Sequence, residues 1–390
     1  VRTVAAAGLR PGRVGLGRSL LASGSMHPEW LETFQAVDRA AFLPDRMWPW
    51  DMIDKRSYDV DRPTDPEAWY AAADSDVPLV TQWDDGAHTG DQPGRVATSS
   101  SSAPSVVYQL LGDLDLDHGM SVLDVGTGTG ETAGALLHRA GRGLVTTVEV
   151  DHTVSAHAAS RLRAAGLHPH TVVGDGSDGY RARAPYHRIL VTFALRDFPG
   201  ALIEQTRRGG LLVAPWGTIY SHANAVACLR SDGSTASGHF LRGVEFMQSR
   251  SQRQRIDPSD YVPAEGVNGA DVSTAALTED EFGSGRFGPL PFILGLRVPG
   301  CVQAAADRKG TSRPVWFYSL TDRSWACVLF RDGTRARVWQ SGPRRLWNEV
   351  EAAYQWWTGL GQPGIDRFGL TVTPEGQRVW LDDPQHAWAV

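Results

Sequence analysis

The sequence predicts an α/β chain: a doubly wound parallel sheet at the centre, then a C-terminal α+β domain. Three observations carry this. Between residues 120 and 216, short apolar runs alternate with helical periodicity in the order β-α-β-α-β-β-α-β. A glycine-rich turn, "DVGTGTGE" from Asp124 to Glu131, lies between the first apolar run and the first helical one. Beyond residue 255 the pattern changes to short Val-, Trp- and Phe-rich strands around one helix.

The elements follow in order. Residues 1–26 are Arg-rich, acid-free and broken by Pro and Gly too often for a signal-peptide core, so they read as a flexible tail, with Met26 as a candidate natural start. Residues 27–104 read as a helical and loop region on the substrate side. In it, "HPEWLETFQAVDRAAFLPD" predicts an amphipathic helix with Trp30, Phe34 and Val37 on one face. Residues 45–97 show weak periodicity and predict loops with one short helix around "DPEAWYAAA". "GRVATSSSSAPSVVYQLLGDL" predicts a Ser-rich loop, then a helix beginning near Pro104.

Residues 105–250 form the core. "SVLDV", "LVTTVEV", "TVVGD", "RILVTFAL" and "GLLVAPWG" are its strands; "ETAGALLHRA", "DHTVSAHAASRLRAAG" and "PGALIEQTRRGG" are its helices. A hairpin around Asp232-Gly233 closes it as an antiparallel end. "SRSQRQRIDPSD" reads as a linker to the second domain, residues 256–390, with a helix near 343–358. There, Leu346, Val350, Ala353 and Trp357 share one helical face and read as core, whereas Trp347, Trp356 and Trp388 are candidates for peptide contact. Arg250, Arg253 and Arg255 form a basic cluster able to attract an acidic peptide.

Composition narrows the classes. The 390 residues are 42% hydrophobic and 21% charged with a net charge of −6, which disfavours a nucleic-acid partner. No apolar stretch approaches the ~20 residues of a membrane span. Cys228, Cys301 and Cys327 contain no C-x-x-C, so neither a disulfide framework nor a zinc knuckle is indicated, and a reduced cytoplasm is the expected setting. His152, His157, His168 and His170 lack the spacing of a helix-face metal pair, and metal catalysis is not expected.

The glycine turn indicates a nucleotide-like cofactor. No lysine follows it, which excludes a P-loop. Gly126 and Gly128 fit the dinucleotide pattern, but its third glycine is Glu131, whose carboxylate would compete with a pyrophosphate at the helix N-terminus. A phosphate-free, cationic cofactor suits better, and S-adenosyl-L-methionine has that chemistry. Asp124 supplies negative charge. Glu149 ends the second strand, where a carboxylate can accept both ribose hydroxyls, and Asp175 ends the third, where one can accept from the adenine amine. Helix capping is the alternative use of both acids.

From these residues onward the chain resembles the protein-L-isoaspartate O-methyltransferases. "FQAVDRAAFLP", "SSSAPSVV", "VLDVGTGTG", "GDGSDGYRARAPYHRILVTFAL", "ALIEQTRRGGLLVAPWG" and "FLRGVEFM" follow in family order over roughly residues 30–250. The resemblance implies a class I S-adenosylmethionine-dependent methyltransferase (Rossmann-like) fold. Carried over by position, Ser102 matches the active-site serine, with Ser101 beside it and Thr192 as a further catalytic candidate next to Phe193. Gly126, Gly128, Glu149, Asp175 and Gly176 match cofactor contacts, with Thr127 and Val150 adjacent to them. Ser100-Ser101 replaces the family's Thr-Ile, the segment 78–98 is longer than the family's connection, and about 140 residues follow where such enzymes usually end. "TSSSSAP" and "TPEGQRVWLDDP" resemble a sub-branch associated with ribosomally made, modified peptides of the graspetide or lanthipeptide kind. That implies a precursor peptide, already cyclised, as partner, and aspartimide or isoaspartate as product. The alternatives are a housekeeping repair methyltransferase and a peptide-binding protein without turnover.

Overall fold

The structure is a computed structural model describing residues 9–51, 56–283 and 288–390. Residues 1–8 of the expected tail lie outside the described residues. Residues 11–22 do not form a flexible tail. They are a helix, α1 (Pro11–Ala22), with proline in its first turn. Arg10 before it binds Asp38 and Asp74 through both carboxylate oxygens of each. Arg13 within it is buried over the Phe34 ring and donates to the Phe34 and Val37 carbonyls. The composition that suggested a flexible tail carries one buried arginine, Arg13, and one half-buried one, Arg10, both with distant partners.

The chain divides into two compact units: residues 1–192, 199–213 and 230–234, and residues 193–198, 214–229 and 235–390. These limits do not fall in the segment 249–260 read as a linker. In the second unit, strand Ala236–Val244 pairs with Phe368–Thr373, Ala236 opposite Val372. Such a long-range ladder leaves no mark on local composition.

In the first unit, α2 (Leu31–Ala36) is one short helix where a longer one was expected. Residues 45–101, expected as loops and a helix, form an antiparallel sheet of β1 (Arg46–Asp51), β2 (Arg56–Ser57), β3 (Val60–Asp61), β4 (Leu79–Trp83) and β5 (Ala97–Ser101). The expected helix is α3 (Pro66–Ala73), capped by Asp65. Trp69, Met47, Leu79 and Ala73 bury together and hold α3 on the sheet. β5 is the serine run. Its ladder with β4 satisfies the backbone groups that serine side chains would otherwise compete for.

Then follow α4 (Pro104–Asp113), β6 (Val122–Val125), α5 (Glu131–Ala140), β7 (Val145–Glu149), α6 (His152–Ala164), β8 (His170–Val173), β9 (Tyr186–Val191), α7 (Gly200–Glu204) and β10 (Thr206–Trp216), in the order that the periodicity predicts; the last helix is shorter than expected, because "TRRGG" belongs to β10. The order β8-β7-β6-β9-β10 is parallel throughout. β6 and β7 are buried at every residue, the mark of central strands. Connections leave β6 toward β7 and return to β9 on its other side. That reversal opens a crevice at the carboxyl ends of β6 and β9.

The expected hairpin is β11 (Asn224–Ser231) and β12 (Ala236–Val244); all of it but residues 230–234 lies in the second unit. The second unit's other strands are β13 (Asp271–Thr274), β14 (Cys301–Ala305), β15 (Ser312–Ser319), β16 (Trp325–Arg331), β17 (Thr334–Ser341), β18 (Phe368–Thr373), β19 (Gly376–Leu381) and β20 (Trp388–Ala389). Its helices are α8 (Glu279–Phe282), α9 (Leu290–Arg297) and α10 (Leu346–Gly359). β13-β17-β16-β15-β14 form an antiparallel sheet. Leu346, Val350, Ala353 and Trp357 of α10 are buried as predicted, but so is Trp347. Its ring lies 5.5 to 6.1 Å from Phe282, Phe317 and Phe330, making it a core residue and correcting its assignment to peptide contact. Trp356 and Trp388 are half-buried and flank the Arg297 guanidinium at 4.4 and 5.1 Å.

Candidate active site

β6 must turn into α5 within five residues. Gly126, Gly128 and Gly130 make the turn with φ of 100°, 52° and 94°, a region only glycine enters freely. A methyl on Gly130 would lie 3.3 Å from Ala158 and Leu162, so this residue admits α6. A methyl on Gly128 would lie 3.6 Å from the Ser100 carbonyl. The glycine loop and the serine strand therefore lie against each other. Thr192, the residue after β9, fastens the loop: its N–H donates to Val125 and its hydroxyl to the Gly126 carbonyl at 2.7 Å. That hydroxyl, expected among the catalytic groups, is engaged in holding the loop. Phe193 begins the second unit.

Two carboxylates stand at the strand ends. Glu149 is buried and accepts from Gly128 N–H at 2.9 Å and from Asp151 N–H at 3.2 Å. Asp124 is fully buried; its Oδ2 accepts from Thr147, whose hydroxyl also meets that of Thr127 at 2.6 Å. Asp124 Oδ1 has no hydrogen-bond partner among the described residues. Burial pushes this carboxyl up to about 7; the Thr147 hydrogen bond opposes the shift and the Glu149 charge adds to it. An orphaned buried acceptor is costly unless something answers it. A cationic or amine-bearing ligand would do so, and Glu149 retains lone pairs for hydroxyls. These features fit the sulfonium nucleoside inferred from the sequence. Asp175 is exposed and caps a short turn through Ser177 N–H, beside Gly176; Val150 is exposed next to Glu149.

The serine segment hangs on a residue that sequence reasoning overlooked. Arg39 is buried to 1% and donates to six acceptors: the Ser101 hydroxyl and the carbonyls of Ala73, Ser75, Val77, Ser101 and Ser102. The Ser101 hydroxyl donates onward to Glu131 at 3.0 Å. Glu131 lies 3.8 Å from Arg39, and burial raises its carboxyl against the lowering effect of that charge. Ser101, a candidate catalytic residue, is thus enclosed in a support network. Ser102, one residue beyond β5, is half-buried and fixed through its carbonyl. The signal for Arg39 was an arginine directly before the apolar run "AAFLP".

Comparison with known proteins matches residues 79–254 to the protein-L-isoaspartate(D-aspartate) O-methyltransferase family. The protein-L-isoaspartate O-methyltransferase of Pyrococcus horikoshii is 35% identical over 150 residues, 38% of this chain and 68% of that one. The chain belongs to the protein-L-isoaspartate O-methyltransferase family. Another member, from Xanthobacter autotrophicus, is 46% identical over 117 residues, 30% of this chain. That match spans 52%, about half, of the relative's length. A solved protein-L-isoaspartate O-methyltransferase structure aligns over 95% of this chain and all of its own, with a TM-score of 0.54 and 20% identity. The fold is accordingly the class I S-adenosylmethionine-dependent methyltransferase fold with an added C-terminal β-rich unit. That addition also occurs in a family structure, so it does not by itself set this chain apart. No helix among the described residues is long and apolar enough to cross a membrane.

Proposed function

We propose that this protein is a carboxyl O-methyltransferase that uses S-adenosyl-L-methionine to methylate isoaspartyl residues in proteins and peptides. The observation that carries this reading is the approach of the Ser100 carbonyl to Gly128, which supports a strand that holds the acceptor beside a loop that holds the cofactor. Family membership supports it.

Asp124, Gly126, Gly128 and Glu149 would hold the cofactor, with Asp175 and Gly176 at the adenine end and Thr127 and Val150 beside them. When bound, S-adenosyl-L-methionine supplies a methyl group activated on a sulfonium. The chain's task is then positional, because an acceptor carboxylate of pKa about 4 is already ionised at neutral pH. Ser102 holds that carboxylate by a hydrogen bond without protonating it. Arg39 and Glu131 keep the segment rigid, and Arg39 aims no free charge at the acceptor because its donors are committed to carbonyls and Ser101. Thr192 fixes the loop carbonyl. The acceptor oxygen would gain the methyl as its bond to the sulfonium sulfur breaks, which would leave S-adenosylhomocysteine. The neighbouring backbone nitrogen then displaces methanol and closes a succinimide without further help from the protein.

The narrower reading, a cyclised ribosomal precursor peptide as substrate, rests on "TSSSSAP" and "TPEGQRVWLDDP" alone. The relatives support general isoaspartyl substrates better. Intact-mass measurement tests both. Incubation with S-adenosylmethionine should add one methyl to an isoaspartyl peptide and none to its aspartyl isomer. Methylation confined to a cyclised precursor would reverse the choice, and binding without any methylation would remove the enzyme reading.

A further inference from the structure

The β4–β5 hairpin is tied to the Glu149 carboxylate by an unbroken run of hydrogen bonds. Asp85 N–H donates to the Thr98 hydroxyl at 3.1 Å, and that hydroxyl donates to Gln82 Oε1 at 2.9 Å. Gln82 Nε2 donates to Asp151 Oδ2 at 2.9 Å. Asp151 N–H donates to Glu149 Oε1, and Gly128 N–H to Glu149 Oε2. Asp151 is itself immobilised, since its Oδ1 accepts from Thr153 and Val154 at the start of α6. The hairpin register shifts on both sides of Gln82, between Val80 and Gln82 and again before Trp83. Such an irregularity re-aims a side chain that a regular strand would point elsewhere. The end of β5 carries Ser101, followed by Ser102.

We propose that Gln82 is a positioning residue that couples the β4–β5 hairpin to the Glu149 carboxylate, so that a nucleoside held by Glu149 also steadies the strand carrying Ser101. This rests on the assignment of Glu149 to the cofactor under the proposed function. Gln82 bridges with both ends of its amide: Thr98 fixes one and Asp151 the other. A two-ended amide transmits restraint, because the fixed Asp151 meets Glu149 through its N–H and Gln82 through its Oδ2. The segment Asp84–Val96 lengthens this hairpin, and its turn joins the run at Asp85. Gln82 also explains how so long an insertion stays in register with the site.

Backbone hydrogen exchange with and without S-adenosylhomocysteine tests this in the full-length protein. In the wild type the ligand should slow exchange both at residues 126–130 and at residues 98–101, by about tenfold or more at each. In Gln82→Leu the protection at 126–130 should remain while that at 98–101 falls to less than about twofold. Thr98→Val, which keeps the Gln82–Asp151 bond but frees the other end of the amide, should give an intermediate loss. If Gln82→Leu melts well below the wild type, Thr98→Val alone decides. Full protection of 98–101 in the deciding variant overturns the proposal, as does a wild type protected only at 126–130. Absence of protection at 126–130 in the wild type instead refutes the cofactor assignment.

Discussion

Glu149 accepts the backbone N–H of Gly128 at 2.9 Å, so the end of β7 and the turn after β6 are joined before any ligand arrives. The carboxylate is preorganised for a second partner while it holds the first.

Glu149→Gln should therefore weaken S-adenosylhomocysteine binding by about tenfold to a hundredfold. The amide offers one acceptor where the carboxylate offers two, and charge-assisted hydrogen bonds are the stronger kind. Isothermal calorimetry reads the change directly, and unaltered affinity would remove Glu149 from the cofactor site.

Ser102→Ala should leave cofactor affinity within about threefold and lower turnover on an isoaspartyl peptide by about tenfold or more, because it removes only an acceptor contact. Steady-state kinetics with equilibrium binding separates the two quantities. Unchanged turnover would remove Ser102 from the mechanism.

Arg39→Ala should destabilise the protein by about 3–5 kcal/mol, since it leaves the buried Glu131 without its counter-charge and several carbonyls and the Ser101 hydroxyl without their donor. Chemical denaturation measures this. A loss below about 1 kcal/mol would show that the network is hydrated in solution.

Asp124 links stability to pH. Its folded-state carboxyl titrates near about 7, above its unfolded value of about 4. The folded state thus holds a proton that the unfolded state has already released. The resulting stability is fully present below about pH 4 and is lost as pH rises through about 7. Asp124→Asn should flatten this slope between about pH 4 and pH 7 in urea titrations. An unchanged slope would show that the site is ionised or wet.

Trp347→Ala should cost about 3–5 kcal/mol, as for any large aromatic removed from a packed core. Trp356→Ala, at a half-buried position, should cost markedly less. Denaturation of both variants tests the placement of Trp347 among Phe282, Phe317 and Phe330.

The sequence by itself determined the parallel core and the glycine turn with the carboxylates at the strand ends beside it, because these are written in short-range patterns. An apolar run bounded by a turn must be a strand wherever it packs, and a turn needing positive φ must use glycine, so β6 to β10, Gly126, Gly128 and Glu149 were legible. Tertiary structure decided what depends on partners far along the chain. The serine run became β5 only because Leu79–Trp83 supplied its ladder. Residues 11–22 became a helix held by carboxylates and carbonyls at 34–38 and 74. Residues 235–244 joined the second unit, where β12 pairs with a strand some 130 residues later. Arg39 reaches Glu131 across 92 positions, a separation at which no periodicity survives. Local chemistry specifies a backbone turn, whereas a buried ion network forms only when folding removes water from both partners at once.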